Sequence, residues 1–328
     1  MTPEDAAVSL LASMGKASPQ SVAPLPGGRN NRVWRVDCGQ ETFLLKHYFW
    51  SPSDPRDRLG QEWAFLEFLQ SIPNHKAPAP LAKNSAERFA LLEFIHGEPP
   101  EHISESEILD AAEFLNAINY ARSHGEHLPA VSEACFSIDS HLATTARRVE
   151  NIAQIPCATP DHAEAIEFVR STLAPLWHEI RTRIEKNPAP FRTAELPASS
   201  RCLSPSDFGF HNALRQPDGS LRYVDFEYAG WDDPAKTLID FTNQPDRILP
   251  EPLAALFLEK TIPLFSDSAD LKARMAILTP VYQIKWACIC LNAFLPNRPA
   301  DPTRPLENQL ARSRIMAERA AQSLKHHD

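Results

Sequence analysis

Between Leu203 and Pro234 the chain reads LSPSDFGFHNALRQPDGSLRYVDFEYAGWDDP, a short hairpin set inside a half that is otherwise patterned for helices. No other stretch limits the fold so tightly. Leu214 and Leu221–Val224 flank QPDGS, a proline–aspartate–glycine turn of the kind that closes hairpins. The midpoint of positions 212 and 225 falls between Asp218 and Gly219, so Asn212 and Asp225 face each other to within one residue, whether the loop has two residues or three. Cross-strand neighbours lie roughly 4.5–5.5 Å apart. An amide oxygen and a carboxylate held that close suit a hard cation such as Mg²⁺, which prefers oxygen ligands. Asp207, five residues before Asn212, enters the same end of the hairpin.

These are the parts of a phosphoryl-transfer site. Charge that develops on phosphoryl oxygens has to be met by a metal and cations, and a carboxylate has to orient the attacking hydroxyl and accept its proton. Taken singly, each residue has an ordinary structural reading: Asp207 caps a turn, Asn212 caps a strand, Asp225 forms an ion pair. The three in this spacing point to a metal–phosphate site.

Upstream, Val33–Val36 and Thr42–Lys46 alternate as two strands around an Asp37–Gln40 turn, and residues 4–15 form a short amphipathic helix. RLGQEWAFLEFLQSI places apolar residues at 59, 63, 66 and 69, a helical spacing. Pro78 and Pro80 break the chain, and RFALLEFI, 88–95, makes a further strand. The order strand, strand, helix, strand predicts a small α+β lobe over residues 1–95. HGEPP, 96–100, ends it, and helices are expected over 104–122, 140–152 and 161–186 and from Pro252 onward, within a second lobe of residues 96–328. Ser104 with Glu107 three residues on has the form of a capping box.

Composition excludes some classes of function. A net charge of −9 lacks the basic footprint of a nucleic-acid binder. Six scattered cysteines without a CxxC pair suit reduced, buried thiols of a cytoplasmic protein. The N-terminus has early acids and no signal-peptide pattern, and the apolar run Trp286–Leu295 is too short to span a membrane. His124 and His127 lack a third ligand and read as surface residues.

With SDFGFHN as an Asp-x₄-Asn loop, a hairpin after it and VDFEYAG as an Asp-aromatic metal motif, the sequence resembles the aminoglycoside phosphotransferase and choline kinase superfamily, the small-molecule relatives of protein kinases. The resemblance extends from Leu25 to Asp240. It implies an α+β, bilobal protein-kinase-like fold, a small β-rich N-lobe for nucleotide and a larger, mainly helical C-lobe. It also implies ATP and Mg²⁺ as cofactors, with transfer of the γ-phosphate to a hydroxyl of a sugar, amino alcohol or aminoglycoside. Carried over by motif, Asp207 is the base, Asn212 and Asp225 are the metal ligands, Lys46 in FLLKHY contacts the α- and β-phosphates and Glu62 orients it. PGGRNN, 26–31, takes the place of the phosphate-covering loop: Gly27 and Gly28 allow close approach, and Asn30 and Asn31 donate to phosphate oxygens. In LLEFIHG, backbone groups near Glu93 and Ile95 would hold adenine.

Two positions depart from the family pattern. The family's histidine two residues before the base is Pro205 here, and the acid that follows its Asp-Pro motif is displaced to Asp240 in DDPAKTLID. Asp233 or Asp240 is expected to brace the catalytic loop. An acceptor pocket would draw on Lys285, Trp286 and Asn292, or on Glu227, Tyr228, Trp231 and Asp232. A catalytically silent pseudokinase that binds nucleotide or a protein partner is the alternative, supported only by Pro205. The absence of an Ala-Pro-Glu segment after Asp225 argues against a protein kinase.

Overall fold

Alternation of buried and open side chains shapes the first third of the chain. The computed structural model describes residues 1–26, 31–265, 268–296 and 304–325. Strands β1 (Ser21–Pro24), β2 (Arg32–Cys38), β3 (Glu41–His47), β4 (Pro80–Asn84) and β5 (Phe89–Glu93) form one antiparallel sheet in the order β1-β2-β3-β5-β4. The period of two turns Phe43 and Leu45 to one face, where they meet Ala6, Ala7, Leu10 and Leu11 of helix α1 (Pro3–Ser13) together with Val36, Phe89 and Leu91. It turns Lys46 to the other face. Thr2 starts α1 by accepting from Asp5 N at 3.1 Å, one half of a capping box.

Two strands went unread in the sequence, β1 and β4. Both are edge strands, and each carries a proline at an end: Pro24 closes β1 and Pro80 opens β4. Proline lacks an N–H for the ladder, so it is tolerated there and not in the middle of a sheet. Pro80 therefore begins a strand rather than breaking the chain.

Helix α2 (Arg58–Gln70) lies between β3 and β4, and α3 (Glu105–Tyr120) follows the HGEPP segment. Ser104 and Glu107 form the expected capping box, with Ser104 N donating to Glu107 Oε2 at 2.9 Å. Strands β6 (Cys202–Ser204) and β9 (Gly230–Asp232) pair with each other, and β7 (Ala213–Arg215) pairs with β8 (Leu221–Tyr223) as the predicted hairpin. Gln216 N donates to Ser220 O at 2.9 Å, so three residues make the loop, with Gly219 at φ +89°.

HGEPP is a structural joint. Glu98 N donates to Arg215 O at 3.1 Å and Arg215 N to Glu98 O at 2.8 Å, so the linker pairs with β7. A Cβ at Gly97 would sit 2.7 Å from Arg215 O, so this close approach needs glycine.

Packing divides the chain into two units, Met1–Ser132 with Leu203–Trp231, and Glu133–Cys202 with Asp232–Asp328. This partition differs from a boundary after residue 95 because the hairpin and α3 pack with the sheet-bearing segment. The second unit holds α4 (Ile138–Ile152), α5 (Pro160–Phe168), α6 (Ala174–Glu185), α7 (Ala189–Thr193), α8 (Pro234–Thr242), α9 (Glu251–Thr261), α10 (Ser268–Leu291) and α11 (Leu306–Lys325). The helix expected over 161–186 is two helices joined by a π turn at Val169–Leu173. Pro175 explains the break, since it has no N–H and its ring crowds the carbonyl four residues back. Helix α10 packs against α4, α8 and α11. No helix among the described residues is long and apolar enough to cross a membrane. The cysteines are free thiols, five of them buried and Cys157 exposed.

Candidate active site

The first unit brings most of the expected site residues together. Lys46 Nζ, on β3, donates to Glu62 Oε2 of α2 at 2.7 Å and to Asp225 Oδ1 at 2.6 Å. Lys46 is 5% exposed and Glu62 1%. Burial alone would lower the lysine's pKa, but the charges of Asp225, Glu62 and Glu227 hold it well above the ordinary value, so the ammonium stays charged. Glu62 has a second task. Its Oε1 accepts from Phe226 N at 3.0 Å, so one carboxylate ties the strand lysine and the Asp225-Phe226 motif to the same helix.

Aromatic packing sets that motif in place. The Phe226 ring lies 5.5 Å from Phe65 on α2 and 6.3 Å from Phe114 on α3. Phe114 stacks on Tyr223 of β8 at 4.5 Å, and Phe208 closes the cluster 5.3 Å from Tyr223. Burying such rings is worth about 1.5–3 kcal/mol each, and here it fixes the backbone between them. Asp225 itself sits at φ +69° and Ser206 at φ +68°. Left-handed backbone costs an L-residue on the order of 1–2 kcal/mol, and strain of this kind gathers at functional sites.

The loop carrying Asp207 is pinned from both sides. Asn119 of α3 accepts from Leu203 N at 2.9 Å and donates to Leu203 O at 3.0 Å. Ser204 Oγ accepts from Ser206 N at 3.0 Å. Phe208 and Phe210 are buried, which leaves Asp207, His211 and Asn212 partly open. Asn212 Nδ2 donates to Asp207 O at 2.9 Å, and Asn212 O accepts from Val224 N at 2.9 Å, which puts Asn212 beside the strand end that leads into Asp225. The hairpin thus aligns positions 212 and 225 to within one residue.

This donor set fits Mg²⁺. Asn212 gives its Nδ2 to Asp207 O, so its amide oxygen is the atom that would serve a metal. Asp225 keeps Oδ2 after giving Oδ1 to Lys46, and its side chain is 39% exposed. Mg²⁺ binds through one or two protein oxygens and takes the rest of its octahedron from phosphates and waters. Among the described residues no group of three or more His, Cys, Asp and Glu is arranged to hold a metal.

Other expected residues have different employment. Gly27, Gly28 and Asn30 lie outside the described residues. The Asn31 side chain, given to phosphate by the sequence, is 6% exposed and bridges two segments: Nδ2 donates to Glu227 Oε2 at 2.5 Å and Oδ1 accepts from Phe49 N at 3.1 Å. Glu93 N donates to Ala79 O at 2.9 Å, and Glu93 Oε2 accepts from Arg222 at 2.9 Å. Ile95 is buried.

The proposed acceptor residues are engaged in the fold. Glu227 is buried, with Arg58 Nε 3.6 Å from its Oε2. Burial and the charge of Asp225 push its pKa up. Tyr228 takes a hydrogen bond from Arg58, and burial pushes its phenol up to about 12. Trp231 Nε1 donates to Gly125 O at 3.1 Å. In the second unit, Lys285 Nζ meets both oxygens of Asp240 at 2.9 Å and Trp286 Nε1 donates to Asp240 Oδ1 at 2.9 Å. Asp232 is fully buried against Lys236. Asp233 caps α8 at Ala235 N and takes bonds from His141 at 3.0 Å and Arg274 at 2.6 Å. Both acids proposed to brace the catalytic loop, Asp233 and Asp240, are therefore committed to helices α4, α8 and α10.

Sequence reasoning missed Arg58 and His211. Arg58 is 2% exposed and joins Asp54, Phe49 O and Glu227, although the run SPSDPRDR looks like an open loop and arginine is seldom fully buried. His211 Nε2 lies 3.2 Å from Asp207 Oδ1. Its signal was present in the sequence: a histidine four residues after Asp207, in a loop lacking the family's histidine before it.

Known proteins place the chain. The model of the phosphotransferase enzyme family, APH, matches residues 21–262. Choline kinase from Cryptosporidium parvum Iowa II is similar at TM-score 0.60 and 12% identity, over 93% of this chain and 89% of that one. Spectinomycin phosphotransferase APH(9)-Ia, solved with ADP and spectinomycin, gives TM-score 0.61 and 13% identity over 94% of each chain. Choline kinase LicA from Streptococcus pneumoniae gives 0.58 and 15%, over 94% of this chain and 96% of that one. No curated protein is matched by the sequence. At these identities the structural likeness is one of fold, the α+β protein-kinase-like class that the motif resemblance implies. Because the family match spans well over half of its length, this chain belongs to the phosphotransferase enzyme family.

Proposed function

We propose that this protein is an ATP- and Mg²⁺-dependent phosphotransferase that moves the γ-phosphate to a hydroxyl of a small molecule. The observation that carries the reading is the buried Lys46 held between Glu62 and Asp225, in the same unit as the Asp207–Asn212 loop. A lysine kept charged and fixed by two carboxylates is suited to the α- and β-phosphates. Asp207 orients the acceptor hydroxyl and takes its proton, while Asn212 and Asp225 hold the metal. When bound, Mg²⁺ neutralises charge on the phosphate oxygens. Backbone near Glu93 and Ile95 holds adenine, with Ile95 as the donor because Glu93 N already serves Ala79 O. On this reading residues 1–95 form the nucleotide-binding lobe and residues 96–328 carry the catalytic loop, metal ligands and acceptor pocket.

The acceptor is a sugar, an amino alcohol or an aminoglycoside, in line with the choline kinases and the spectinomycin phosphotransferase that share the fold. Use of ATP and a set of free thiols suit the cytoplasm. The test is calorimetric titration with MgATP, followed by an ADP-release screen over those acceptor classes, with wild type and Asp207→Asn side by side. Nucleotide binding, and turnover that the substitution removes, is the expected result. Failure to bind nucleotide, or transfer left intact in the variant, overturns it. Binding without turnover across the whole panel returns the pseudokinase reading.

A further inference from the structure

We infer that Asn31 is a positioning residue: through Glu227 it ties the metal motif to the strand that carries Lys46, and so tightens the hold on Mg²⁺. The inference rests on the phosphotransferase reading and goes one step beyond it. Asn31, 6% exposed, stands one residue before β2 and uses both ends of its amide. Its Oδ1 accepts from Phe49 N, two residues past the end of β3, at 3.1 Å. Its Nδ2 donates at 2.5 Å to Oε2 of Glu227, two residues past Asp225. One side chain therefore links the Lys46 strand to the metal motif.

Register makes this link short. Arg32 pairs with His47 in the first rung of the β2–β3 ladder, so Asn31 and Phe49 lie just beyond it. The Asn31 amide continues the ladder where backbone pairing stops. Arg58, which opens α2, clamps the same two points: it donates to Phe49 O at 3.2 Å and lies 3.6 Å from Glu227 Oε2. Asp225 meets Lys46 at 2.6 Å, and Phe226 N meets Glu62 at 3.0 Å. Residues 225, 226 and 227 are thus each held by groups of the sheet, of α2 or of the residue leading into β2, all within the first unit. Glu227 is 4% exposed and bears the repulsion of Asp225, so a buried donor is needed to keep its carboxylate in place.

Asparagine suits this place because its planar amide offers an acceptor at one end and a donor at the other. Aspartate has the same shape but only accepts. It would keep Phe49 N and set two carboxylates against each other. Lys46 serves the phosphates and Asp225 serves the metal, so their spacing decides whether one nucleotide can engage both. Groups that orient metal ligands from behind are worth about 10–100-fold in metal affinity or activity. Asn31 acts in that way, through Glu227 and the backbone of the motif.

The experiment compares wild type, Asn31→Asp, Asn31→Ala, Glu227→Gln and the double variant Asn31→Asp with Glu227→Gln, all in the full chain. The double variant keeps the net charge and restores a donor–acceptor pair in reverse, the glutamine amide donating to the aspartate. Calorimetry gives the affinity for ADP in EDTA and across a Mg²⁺ series. ADP release from ATP with the acceptor panel, over the same series, gives kcat and the half-saturating Mg²⁺, and thermal unfolding gives Tm. The expected result is a half-saturating Mg²⁺ about 10–100-fold higher in Asn31→Asp, with the affinity for metal-free ADP unchanged. The double variant recovers most of that loss. Asn31→Ala, which removes both bonds without adding charge, shifts the Mg²⁺ requirement the same way and carries the test if the aspartate variant does not fold. The inference is overturned by a double variant no better than Asn31→Asp, by a loss of ADP affinity as large in EDTA as in Mg²⁺, or by a lower Tm with wild-type Mg²⁺ dependence. A wild-type protein that neither binds ADP at any Mg²⁺ concentration nor turns over ATP overturns the phosphotransferase reading and this inference with it. An active wild type whose Mg²⁺ dependence is matched by both Asn31 variants overturns this inference alone.

Discussion

Two groups of buried charge are built into this chain, and their balance differs. Around Lys46 the acids Glu62, Asp225 and Glu227 share Lys46 and Arg58, and Arg58 also serves Asp54. Acids outnumber bases, Asp225 is partly open to solvent, and Asp225 sits in left-handed backbone. In the helical unit each acid has its own base: Asp232 with Lys236, Asp233 with Arg274 and His141, and Asp240 with Lys285. Those acids are almost entirely sheltered. A closed, balanced network serves the fold, since breaking a buried pair leaves a stranded charge. An open network with surplus negative charge is ready for a further cation. Burial, and after it the charge of Asp225, raise the pKa of Glu227.

Substitutions that treat the two networks alike should therefore have unlike effects. Replacing Asp207 with Asn is expected to lower kcat by about 10²–10⁴ with Tm unchanged, read by ADP release and circular dichroism. A comparable loss of stability would move this loop into the structural class. Asp240→Asn strands Lys285 and should cost about 3–5 kcal/mol, on the order of 10 °C in Tm. A mutant that stays as stable as wild type but binds an acceptor more weakly would make the helical network a binding site instead.

Asp225→Asn should abolish Mg²⁺-dependent turnover yet change stability by no more than about 1 kcal/mol, since asparagine tolerates the left-handed region and removes a charge that repels Glu227. A large drop in Tm would erase the contrast. Chelation by EDTA should likewise weaken ATP binding without altering Tm in the absence of nucleotide.

The smallest effect concerns pH. Burial lowers the pKa of His141 despite its bond to Asp233, so the unfolded chain takes up this proton more readily than the fold. The stability from neutral His141 is complete above its ordinary value of 6.5 and is lost as pH falls through the lower folded value. Asp232 works in the opposite sense. Burial raises it to about 6 from 3.8, so its cost to folding grows as pH rises across that window. His141→Asn should flatten the acid-side fall in Tm, and Asp232→Asn should deepen it. Unchanged pH profiles would show that neither group titrates against the fold.

What could be read in the sequence follows from the range of the forces involved. The Lys46 strand, the Glu62 helix, the Ser104 capping box and the hairpin are local patterns with periods of 2, 3.6 or a turn signature, and the structure has all of them. Asn212 and Asp225 could be aligned by counting from the turn. The rest depended on contacts between distant positions. Asn31 reaches Glu227 across 196 residues, and nothing near PGGRNN shows that its asparagine is structural. Arg58 bonds Asp54 and Phe49 O close by in the chain, but its burial also draws on Glu227, far away in sequence. β1 and β4 were hidden by prolines that are harmless at a sheet edge.

Glu62 carries a consequence for how the site behaves as a whole. Its two oxygens are spent on two separate pieces of chain, Lys46 and the amide of Phe226. A single rotation of that side chain would release both together, so cation placement and metal-motif geometry rise and fall as one event. On the phosphotransferase reading, shortening Glu62 to Asp is expected to loosen the Lys46 and Phe226 contacts together, read as a weaker affinity for MgATP.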